Sequence, residues 1–532
     1  MPGMVVCPQP RAADVGAEIL ASGGSAFDAT VATAFAQMIA DPFMCGIGGF
    51  GSIQAYSAKT GEITSLDFHT TGGSRIVEGM WANDVKGKTE VSGYTLFDDF
   101  RSELGYTAIM TPGAVAGFGA FHKKFGSMPW AQLLQPAIAM ANDGVDVTPF
   151  FAEYLARPLV PGLPGGMQRV STTKACRNIF VKPDGTLYSV GETLKNPDYG
   201  ATLAQIADEG PETFYTGALA ERLIADLAAN GSYVTGEDFA NYAPVWQQPI
   251  IGTYRGYTLS SVPPPASGVT LIQILQILDH FPLSQMTHGS AEHLDLVARA
   301  MAAAHHDREL WLADPRFADV PVDVMVSRER ASFWADKIAA GELPPGAKAT
   351  EPSATTQLCI ADDAGNVVSC THSLGTGSGV VTPGTGFVYN NSMKLFDPFP
   401  GDKNSMLAGK ARVTGMVPTL ILKDGVPVMS AGAPGGSVII SAVAQSISNV
   451  IDFGMSPAEA VAAPRIHCES GPIEAEARMP DRVKRDLEAL GHTVRRSARS
   501  YDMMMSYAHL LELQPVMRGG ADPRSGGGVA WA

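Results

Sequence analysis

The sequence predicts an α+β fold organised around a large β-sheet, and three observations support this prediction. Two β-rich segments, Thr355–Ala361 and Val367–Leu374, flank the turn-forming sequence Asp-Asp-Ala-Gly-Asn, which is typical of a β-hairpin. A second hairpin is predicted where Val417–Leu422 and Val426–Ser430 flank Lys-Asp-Gly. Apolar residues at helical spacing recur before and after both hairpins, so we expect helices to pack against the sheet.

The other elements follow from apolar periodicity and from the Gly, Pro and Asp residues that end each segment. The predicted helices are Ala12–Ala21, Ala26–Ile39, Ala114–Phe121, Trp130–Ala141, Thr202–Asp208, Ala218–Asn230, Gly268–Phe281, Ala291–Leu312, Val438–Phe453, Pro457–Ala463 and Asp481–Leu490. The further predicted strands are Ser52–Tyr56, Thr64–Phe68, Tyr254–Val262, Phe387–Asn391 and Arg465–Glu474. The chain after the last helix is predicted to form a closing hairpin.

Composition excludes several classes of partner. The net charge of −15, with no cluster of Lys and Arg, argues against nucleic acid and anionic membranes, since both require basic patches. No run of 18 apolar residues predicts a membrane span. The N-terminal segment Met-Pro-Gly-Met-Val-Val-Cys-Pro-Gln-Pro has neither the basic nor the long apolar region of a signal peptide, so a cytoplasmic location is expected.

The sequence gives no indication of a metal ion or an organic cofactor. Its six cysteines are scattered without a Cys-x-x-Cys motif, which favours buried free thiols over a disulfide framework or a zinc site. His305 and His306 are adjacent on a predicted helix, where their side chains point about 100° apart and do not chelate one ion as an i, i+4 pair does. We interpret both histidines as structural.

The first hairpin carries hydroxyl groups in an arrangement that suits self-cleavage. Because side chains alternate along a strand, Thr355 and Gln357 share one face, and Thr371 and Ser373 share one face of the partner strand. A chain cut before Thr355 would expose an α-amine that serves as the base for the hydroxyl of the same residue. A purely structural hairpin has the same local pattern, since threonine favours strands.

A series of motifs resembles the γ-glutamyltransferase family of N-terminal nucleophile hydrolases. The matching motifs, in chain order, are Ala26–Ala36, Asp67-Phe68, Thr111-Pro112-Gly113, Pro263–Gly268, Thr-Thr-x-x-x-x-x-Asp-x-x-Gly-Asn from Thr355, Asn390-Asn391-x-Met393, Ala433–Ser437 and Asp522-Pro523-Arg524. The resemblance spans nearly the whole chain. It implies a four-layer αββα sandwich to which both fragments of a cleaved chain contribute.

The resemblance also implies where the chain is cut. The polar segment Glu342–Ala354 contains three prolines, and exposed linkers of this kind tolerate cleavage. Cleavage between Ala354 and Thr355 divides the chain into a large subunit, residues 1–354, and a small subunit, residues 355–532. The two subunits are expected to stay together as a heterodimer that forms one γ-glutamyltransferase-like domain, and whether two heterodimers associate stays open.

Catalytic roles follow residue by residue from the resemblance. Thr355 is the nucleophile, and Ser373 stands where the family has the threonine that hydrogen-bonds it, with Thr371 as a support. Gly435 and Gly436 match the family's oxyanion hole, and consecutive glycines before a helix present N–H donors at its positive end. The alternatives are hydroxyls that satisfy a sheet face, and a glycine turn that serves packing.

The residues that would recognise glutamate differ from the family pattern. His69 replaces an arginine that clamps the substrate α-carboxylate, and neutral imidazole lacks the charged bidentate fork of arginine. The alternative is that His69 is a packed histidine at a strand end. Gly375 and Ser392 replace polar substrate contacts, and Thr414-Gly415 replaces a serine pair. The aspartate that binds the α-amine is matched by Leu395, or by Asp397 if the loop shifts.

The favoured hypothesis is therefore a self-processing amidohydrolase that forms an acyl-enzyme with a small, non-glutamyl acyl group, resembling oxamate amidohydrolases. A γ-glutamyl hydrolase or transferase acting on glutathione or γ-glutamyl amides is the first alternative, and a cephalosporin-type acylase is the second. A non-catalytic relative that never cleaves itself is the third.

Overall fold

The computed structural model describes residues 3–89, 94–156, 162–342 and 354–532. Its strands are β1 (Gly3–Cys7), β2 (Phe50–Ser57), β3 (Glu62–Phe68), β4 (Gly87–Lys88), β5 (Thr95–Leu96), β6 (Val145–Asp146), β7 (Thr193–Leu194), β8 (Val245–Gln247), β9 (Ile250–Tyr254), β10 (Tyr257–Ser261), β11 (Ala354–Asp362), β12 (Val367–Gly375), β13 (Thr419–Lys423), β14 (Val426–Gly432), β15 (Ile466–His467), β16 (Ile473–Ala475), β17 (Val494–Arg496), β18 (His509–Glu512), β19 (Arg518–Ala521) and β20 (Gly528–Trp531).

The helices are distributed along the whole described chain. They are α1 (Pro10–Ala21), α2 (Ala26–Ala40), α3 (Ala114–Phe125), α4 (Trp130–Asp143), α5 (Pro149–Ala156), α6 (Gly166–Val170), α7 (Lys174–Phe180), α8 (Pro197–Glu209), α9 (Ala218–Ala229), α10 (Gly236–Ala240), α11 (Gly268–Leu278), α12 (Ala291–Trp311), α13 (Val322–Met325), α14 (Arg328–Ala339), α15 (Val438–Ile451), α16 (Pro457–Ala462) and α17 (Asp481–Ala489).

Two antiparallel sheets form the centre of the molecule. The first has seven strands in the order β20-β1-β11-β12-β2-β3-β8, and the second has six in the order β19-β18-β14-β13-β10-β9. The predicted hairpin, β11 and β12, occupies the middle of the first sheet, and every residue of both strands is buried. The predicted second hairpin, β13 and β14, lies at the middle of the second sheet.

The two sheets pack face to face, and helices cover both outer faces. Side chains from β1, β11 and β12 meet leucines of β13 and β18 in an apolar layer between the sheets. Polar contacts cross the same interface, since Ser369 Oγ donates to the Ala431 carbonyl oxygen and Ser430 Oγ donates to that of Val368. Helices α1–α4 and α8 pack on the first sheet, and α11, α12 and α15 pack on the second. The predicted four-layer αββα sandwich is confirmed.

Several predicted elements are wrong in type or extent. Tyr254–Val262 was expected to be one strand, but the chain reverses at Arg255 and Gly256, where both residues have positive φ, so Tyr254 ends β9. Phe387–Asn391 makes one isolated bridge, Tyr389 to Gly48, in place of a strand. Arg465–Glu474 divides into β15 and β16, because Ser470 and Gly471 turn the chain between them.

The closing hairpin is present but does not account for the whole C-terminal segment. Strands β18 and β19 form the hairpin at the edge of the second sheet, whereas β20 crosses over and pairs with β1 of the first sheet. The chain therefore passes from the second sheet to the first between β19 and β20.

Three further expectations concern the chain as a whole. All six cysteines are buried with free thiols. Among the described helices, none combines the length and the apolar character that a membrane span requires. Most of the predicted linker Glu342–Ala354 lies outside the described residues, which resume at Ala354.

Candidate active site

A β-bulge places the hydroxyl of Thr355 beside that of Ser373. Ala354 pairs with Gly375 and Thr356 pairs with His372, so Thr355 stands opposite two residues, Ser373 and Leu374. A bulge of this kind bends the strand and redirects a side chain. As a result the Thr355 and Ser373 hydroxyl oxygens lie 3.1 Å apart, on the same face of the sheet and almost fully buried.

Both hydroxyls converge on the peptide bond that precedes Thr355. Thr355 Oγ1 lies 2.7 Å from the carbonyl oxygen of Ala354, and Ser373 Oγ donates to that oxygen at 2.7 Å. The Gly375 N–H in turn donates to Ser373 Oγ at 2.9 Å, which fixes the serine rotamer. A donor aimed at a carbonyl oxygen stabilises the negative charge that appears there when the carbonyl carbon is attacked.

Replacing Ser373 with alanine is expected to slow cleavage between Ala354 and Thr355 by about 100-fold, because it removes this donor. The rate would be followed as the loss of the full-length band over time. Ser369→Ala is the matched control, since Ser369 is buried on the same strand but bonds Gln357 and Ala431. Equal cleavage rates in the two variants would contradict the role given to Ser373.

Thr371 does not reach the Thr355–Ser373 pair. Its hydroxyl donates to Oε1 of Gln357 at 2.5 Å, two residue pairs further along the hairpin. Gln357 Nε2 continues this network to Ser369. Thr371 therefore supports the hairpin through Gln357 and makes no direct contact with the reacting groups.

Tyr507 contacts the nucleophile and was missed by the sequence analysis. Its hydroxyl donates to the Thr355 carbonyl oxygen at 3.0 Å from the loop before β18. Burial raises the pKa of Tyr507 well above its usual value, so the phenol remains a donor. Nothing in the local sequence distinguishes this tyrosine, because the contact joins residues 152 positions apart.

Gly435 and Gly436 form a tight turn between β14 and α15. Their φ values are 129° and 69°, a region that residues with a Cβ rarely adopt. Neither N–H donates a hydrogen bond to another described residue, so both donors are available to a bound group. The next residue after the pair is Ser437, which precedes the first turn of α15, so the donors lie at the positive end of that helix.

Gly415 supports this turn by close backbone approach. A Cβ at position 415 would lie 2.0 Å from the Gly436 carbonyl oxygen, so only glycine fits there. The neighbouring Thr414 is held by its backbone, whose carbonyl accepts from Ser267 Oγ at 2.6 Å and whose N–H donates to the Pro265 carbonyl. The Thr414-Gly415 pair thus shapes the loop around the predicted oxyanion site.

His69 is buried at the end of β3, against Phe50 of β2, and is neutral. Burial and the nearby Arg412 guanidinium hold the pKa of His69 well below its usual value. The ring lies 4.6 Å from the Phe50 ring, and its Nε2 has no hydrogen-bond partner among the described residues. A neutral imidazole with an unpaired nitrogen can make one hydrogen bond to a ligand but supplies no fixed positive charge.

Arg412 is a buried cation close to His69 and Phe50. Its guanidinium lies 4.9 Å from the Phe50 ring centre, and Phe50 pairs directly with Ser373 across β2 and β12. Directly paired residues point to the same face of an antiparallel sheet, so Phe50 links Arg412 to the Thr355–Ser373 pair. The side chain is buried, and one nitrogen donates to the Val413 carbonyl oxygen at 3.0 Å.

Gly375 and Ser392 frame the other side of the site. Gly375 has a φ of 78°, and a Cβ there would lie 2.5 Å from Oδ1 of Asn391. The Ser392 hydroxyl is buried with no hydrogen-bond partner among the described residues. It is therefore a polar group that a ligand could satisfy.

Leu395 and Asp397 are the two candidates for the position of the ammonium-binding aspartate. Leu395 packs against Tyr94, and Asp397 accepts the Phe399 backbone N–H at 2.9 Å. Neither residue matches the role of an aspartate that binds an ammonium group. The buried carboxylate of Glu103 lies nearby, where Arg169 and Asn391 donate to its Oε2 and the Lys394 ammonium lies 3.8 Å from its Oε1.

Comparisons with known proteins agree with this geometry. A family model described as Gamma-glutamyltranspeptidase matches residues 12–532. The chain is 37% identical over 512 residues to the Acylase ACY 1 proenzyme of Pseudomonas sp. (strain V22), covering 93% of this chain and 88% of that one. It is 34% identical over 546 residues to the Glutathione hydrolase proenzyme of Escherichia coli (strain K12), covering 98% and 90%.

A solved structure is similar over the full length. The cephalosporin acylase from Bacillus halodurans superposes with a TM-score of 0.88 at 29% identity, covering 100% of this chain and 96% of that chain. The similarity therefore includes both sheets and the hairpin that carries Thr355.

Proposed function

The chain belongs to the gamma-glutamyltranspeptidase family, and we propose that it is a self-processing amidohydrolase whose nucleophile is Thr355. The observation that carries the proposal is the convergence of the Thr355 and Ser373 hydroxyls on the Ala354 carbonyl oxygen. Relatives named as proenzymes support a precursor that is cut.

Self-cleavage proceeds by transfer of the preceding acyl group from nitrogen to oxygen. Thr355 Oγ1 attacks the Ala354 carbonyl carbon, and Ser373 stabilises the charge on the carbonyl oxygen. The Ala354–Thr355 C–N bond breaks, and the released amine takes up the proton that the Thr355 hydroxyl has lost. Water then hydrolyses the ester, which leaves a carboxylate on Ala354 and a free hydroxyl and α-amine on Thr355.

The cleaved protein repeats the same chemistry on its substrate. The α-amine of Thr355, with an ordinary pKa of roughly 7.7–8.0, removes the hydroxyl proton as Oγ1 attacks the substrate amide. The N–H groups of Gly435 and Gly436 face the developing oxyanion. The leaving amine departs with a proton, and water hydrolyses the acyl-threonine ester. The two fragments act together, since β11 and β12 of the small fragment pair with β1 and β2 of the large one.

The proposed acyl group carries a carboxylate that the site binds, but it lacks the ammonium group of a free amino acid. Arg412 provides a buried guanidinium for the carboxylate, and His69 Nε2 and the Ser392 hydroxyl offer uncharged hydrogen bonds. Among the described residues, the buried Glu103 carboxylate, which bonds Thr376 and Asn391, already faces the cations of Arg169 and Lys394, and this disfavours its pairing with a substrate ammonium group. The small exposure of Thr355, Ser373 and His69 favours a compact acyl group such as the acyl group of oxamate.

An acylase that removes a longer dicarboxylic acyl group is the second candidate. The full-length similarity to the cephalosporin acylase and the 37% identity to Acylase ACY 1 favour it. Both candidates use the same carboxylate contact and differ in the length of the acyl chain.

A substrate panel on the cleaved protein tests this proposal. We expect oxamate and glutaryl anilide to be hydrolysed at least tenfold faster, by kcat/KM, than γ-glutamyl anilide, because only the last carries an ammonium group. Preference for γ-glutamyl anilide would overturn the substrate assignment and leave Thr355 in place. No hydrolysis by a chain that never cleaves itself would support the non-catalytic alternative.

A further inference from the structure

A second cluster of functional groups lies away from Thr355, among α12, α15 and β15. His305 comes from α12, His467 ends β15, and Glu469 follows it two residues later. The side chains of both histidines are 1% exposed and that of Glu469 is 9% exposed. From the sequence, His305 was expected to be structural because adjacent histidines on a helix do not chelate one ion. In the fold, His305 lies beside His467 and Glu469, two residues of a distant segment.

The three side chains turn their ligand atoms toward one another. His305 Nδ1 lies 3.8 Å from Glu469 Oε2, and His467 Nε2 lies 3.1 Å from Glu469 Oε1. All three ligand atoms lie within 4.8 Å of one another. Two ligands of a tetrahedral ion with bonds of about 2.1 Å are themselves about 3.4 Å apart, so small side-chain rotations bring this set to bonding distance.

His305 is the strongest sign that the cluster has an unfilled role. Both of its ring nitrogens are buried, and neither has a hydrogen-bond partner among the described residues. A buried polar group without a partner is unfavourable, so such groups are rare unless a ligand or ion satisfies them.

The surroundings hold the other two ligands in position. His467 Nδ1 lies 2.7 Å from Ser441 Oγ, an outer contact that orients a ligating histidine and leaves Nε2 for the ion. Glu469 is held between the two histidines, with Oε1 toward His467 and Oε2 toward His305. Arg308 makes no ion pair with Glu469 in the described structure, and its Nε donates to Ser267 Oγ at 3.0 Å.

We propose that His305, His467 and Glu469 bind one divalent transition-metal ion, with Zn²⁺ the ion that this ligand set favours. In the bound form the His467 ring carries its proton at Nδ1, which donates to Ser441 Oγ, so that Nε2 is free to bind the ion, and a water molecule completes the coordination. The site joins the two fragments, since His305 belongs to residues 1–354 and the other two ligands belong to residues 355–532. A bound ion therefore stabilises the cleaved protein against unfolding and dissociation.

Metal binding to purified full-length protein tests this proposal. After treatment with a chelator, Zn²⁺ is titrated against a chromophoric competitor, and Co²⁺ is added separately to record its visible spectrum. We expect one high-affinity Zn²⁺ per chain, and the intense bands of four-coordinate Co²⁺. His305→Gln and Glu469→Gln should weaken Zn²⁺ binding at least 100-fold, and Ser441→Ala about tenfold.

His306→Gln is the matched control, since His306 is adjacent in sequence but packs on Trp334. It should leave the affinity unchanged. Circular dichroism establishes that each variant is folded, and the Co²⁺ spectrum of the unaltered protein gives a result that needs no variant. Absence of stoichiometric Zn²⁺ binding, or binding that survives both His305→Gln and Glu469→Gln, would overturn the proposal.

Discussion

Thr355→Ala is expected to leave the protein as a single polypeptide of 55.9 kDa and to reduce amide hydrolysis by about 10⁴-fold or more. The variant lacks the hydroxyl that we propose attacks the Ala354 carbonyl carbon and, after cleavage, the substrate. The hydroxyl of Ser373 would remain 2.7 Å from the Ala354 oxygen, but it donates to that atom and does not replace the nucleophile. Gel electrophoresis over several days and hydrolysis of the panel substrates measure the two effects.

Thr356→Val is the matched control for this prediction. Thr356 is the adjacent buried threonine, but its hydroxyl points to the other face and bonds Gln9 and Gln37. The control should cleave itself and hydrolyse substrate, and Thr355→Ser should retain both reactions at a reduced rate. Cleavage before residue 355 in Thr355→Ala would show that another group carries the attack.

Arg412→Met is expected to lower kcat/KM for carboxylated amides by about 100- to 1,000-fold, the effect of removing one partner of a buried charge pair. Methionine keeps the apolar contact with Phe50 and loses the guanidinium. Hydrolysis of an acetyl anilide, which has no carboxylate, should change less than about threefold. Self-cleavage should still proceed, because Thr355 and Ser373 supply the hydroxyls that contact the Ala354 carbonyl oxygen.

Arg316→Met is the control for a general change in charge. Arg316 also lowers the pKa of His69, but its guanidinium is engaged by Asp314 and half-exposed. We expect it to affect carboxylated and neutral amides equally and slightly. An equal loss for both kinds of amide in Arg412→Met would contradict the carboxylate contact and would indicate a packing role for Arg412.

The parts of the fold that were predictable are those set by local chemistry. Alternating apolar residues and the Asp-Asp-Ala-Gly-Asn turn fix β11 and β12, and helical periodicity fixes the start of α2 and the extent of α15 to within a turn. Phe387–Asn391 has the composition of a strand, yet Asn390 makes its side-chain bonds to Gly48 and Met110. Tertiary contacts of this kind override the local preference of a segment.

The site was predictable where the chain itself brings its groups together. Thr355 and Ser373 lie on one hairpin, so their proximity follows from strand pairing, although the bulge that aligns them depends on Gly375 and Asn391. Arg412 and Tyr507 reach the site from distant segments and carry no local signal. Arg412 lies in a polar connection before β13, where a buried arginine cannot be distinguished from an exposed one by sequence pattern.

The most direct test of the account is the mass of the small fragment, measured before and shortly after a carboxylated amide is added to the cleaved protein. We expect a fragment of residues 355–532 that begins at Thr355, and a transient mass increase equal to one acyl group on its first residue. A fragment that begins elsewhere, or one that stays unmodified during rapid turnover, would contradict the assignment of Thr355 as the nucleophile.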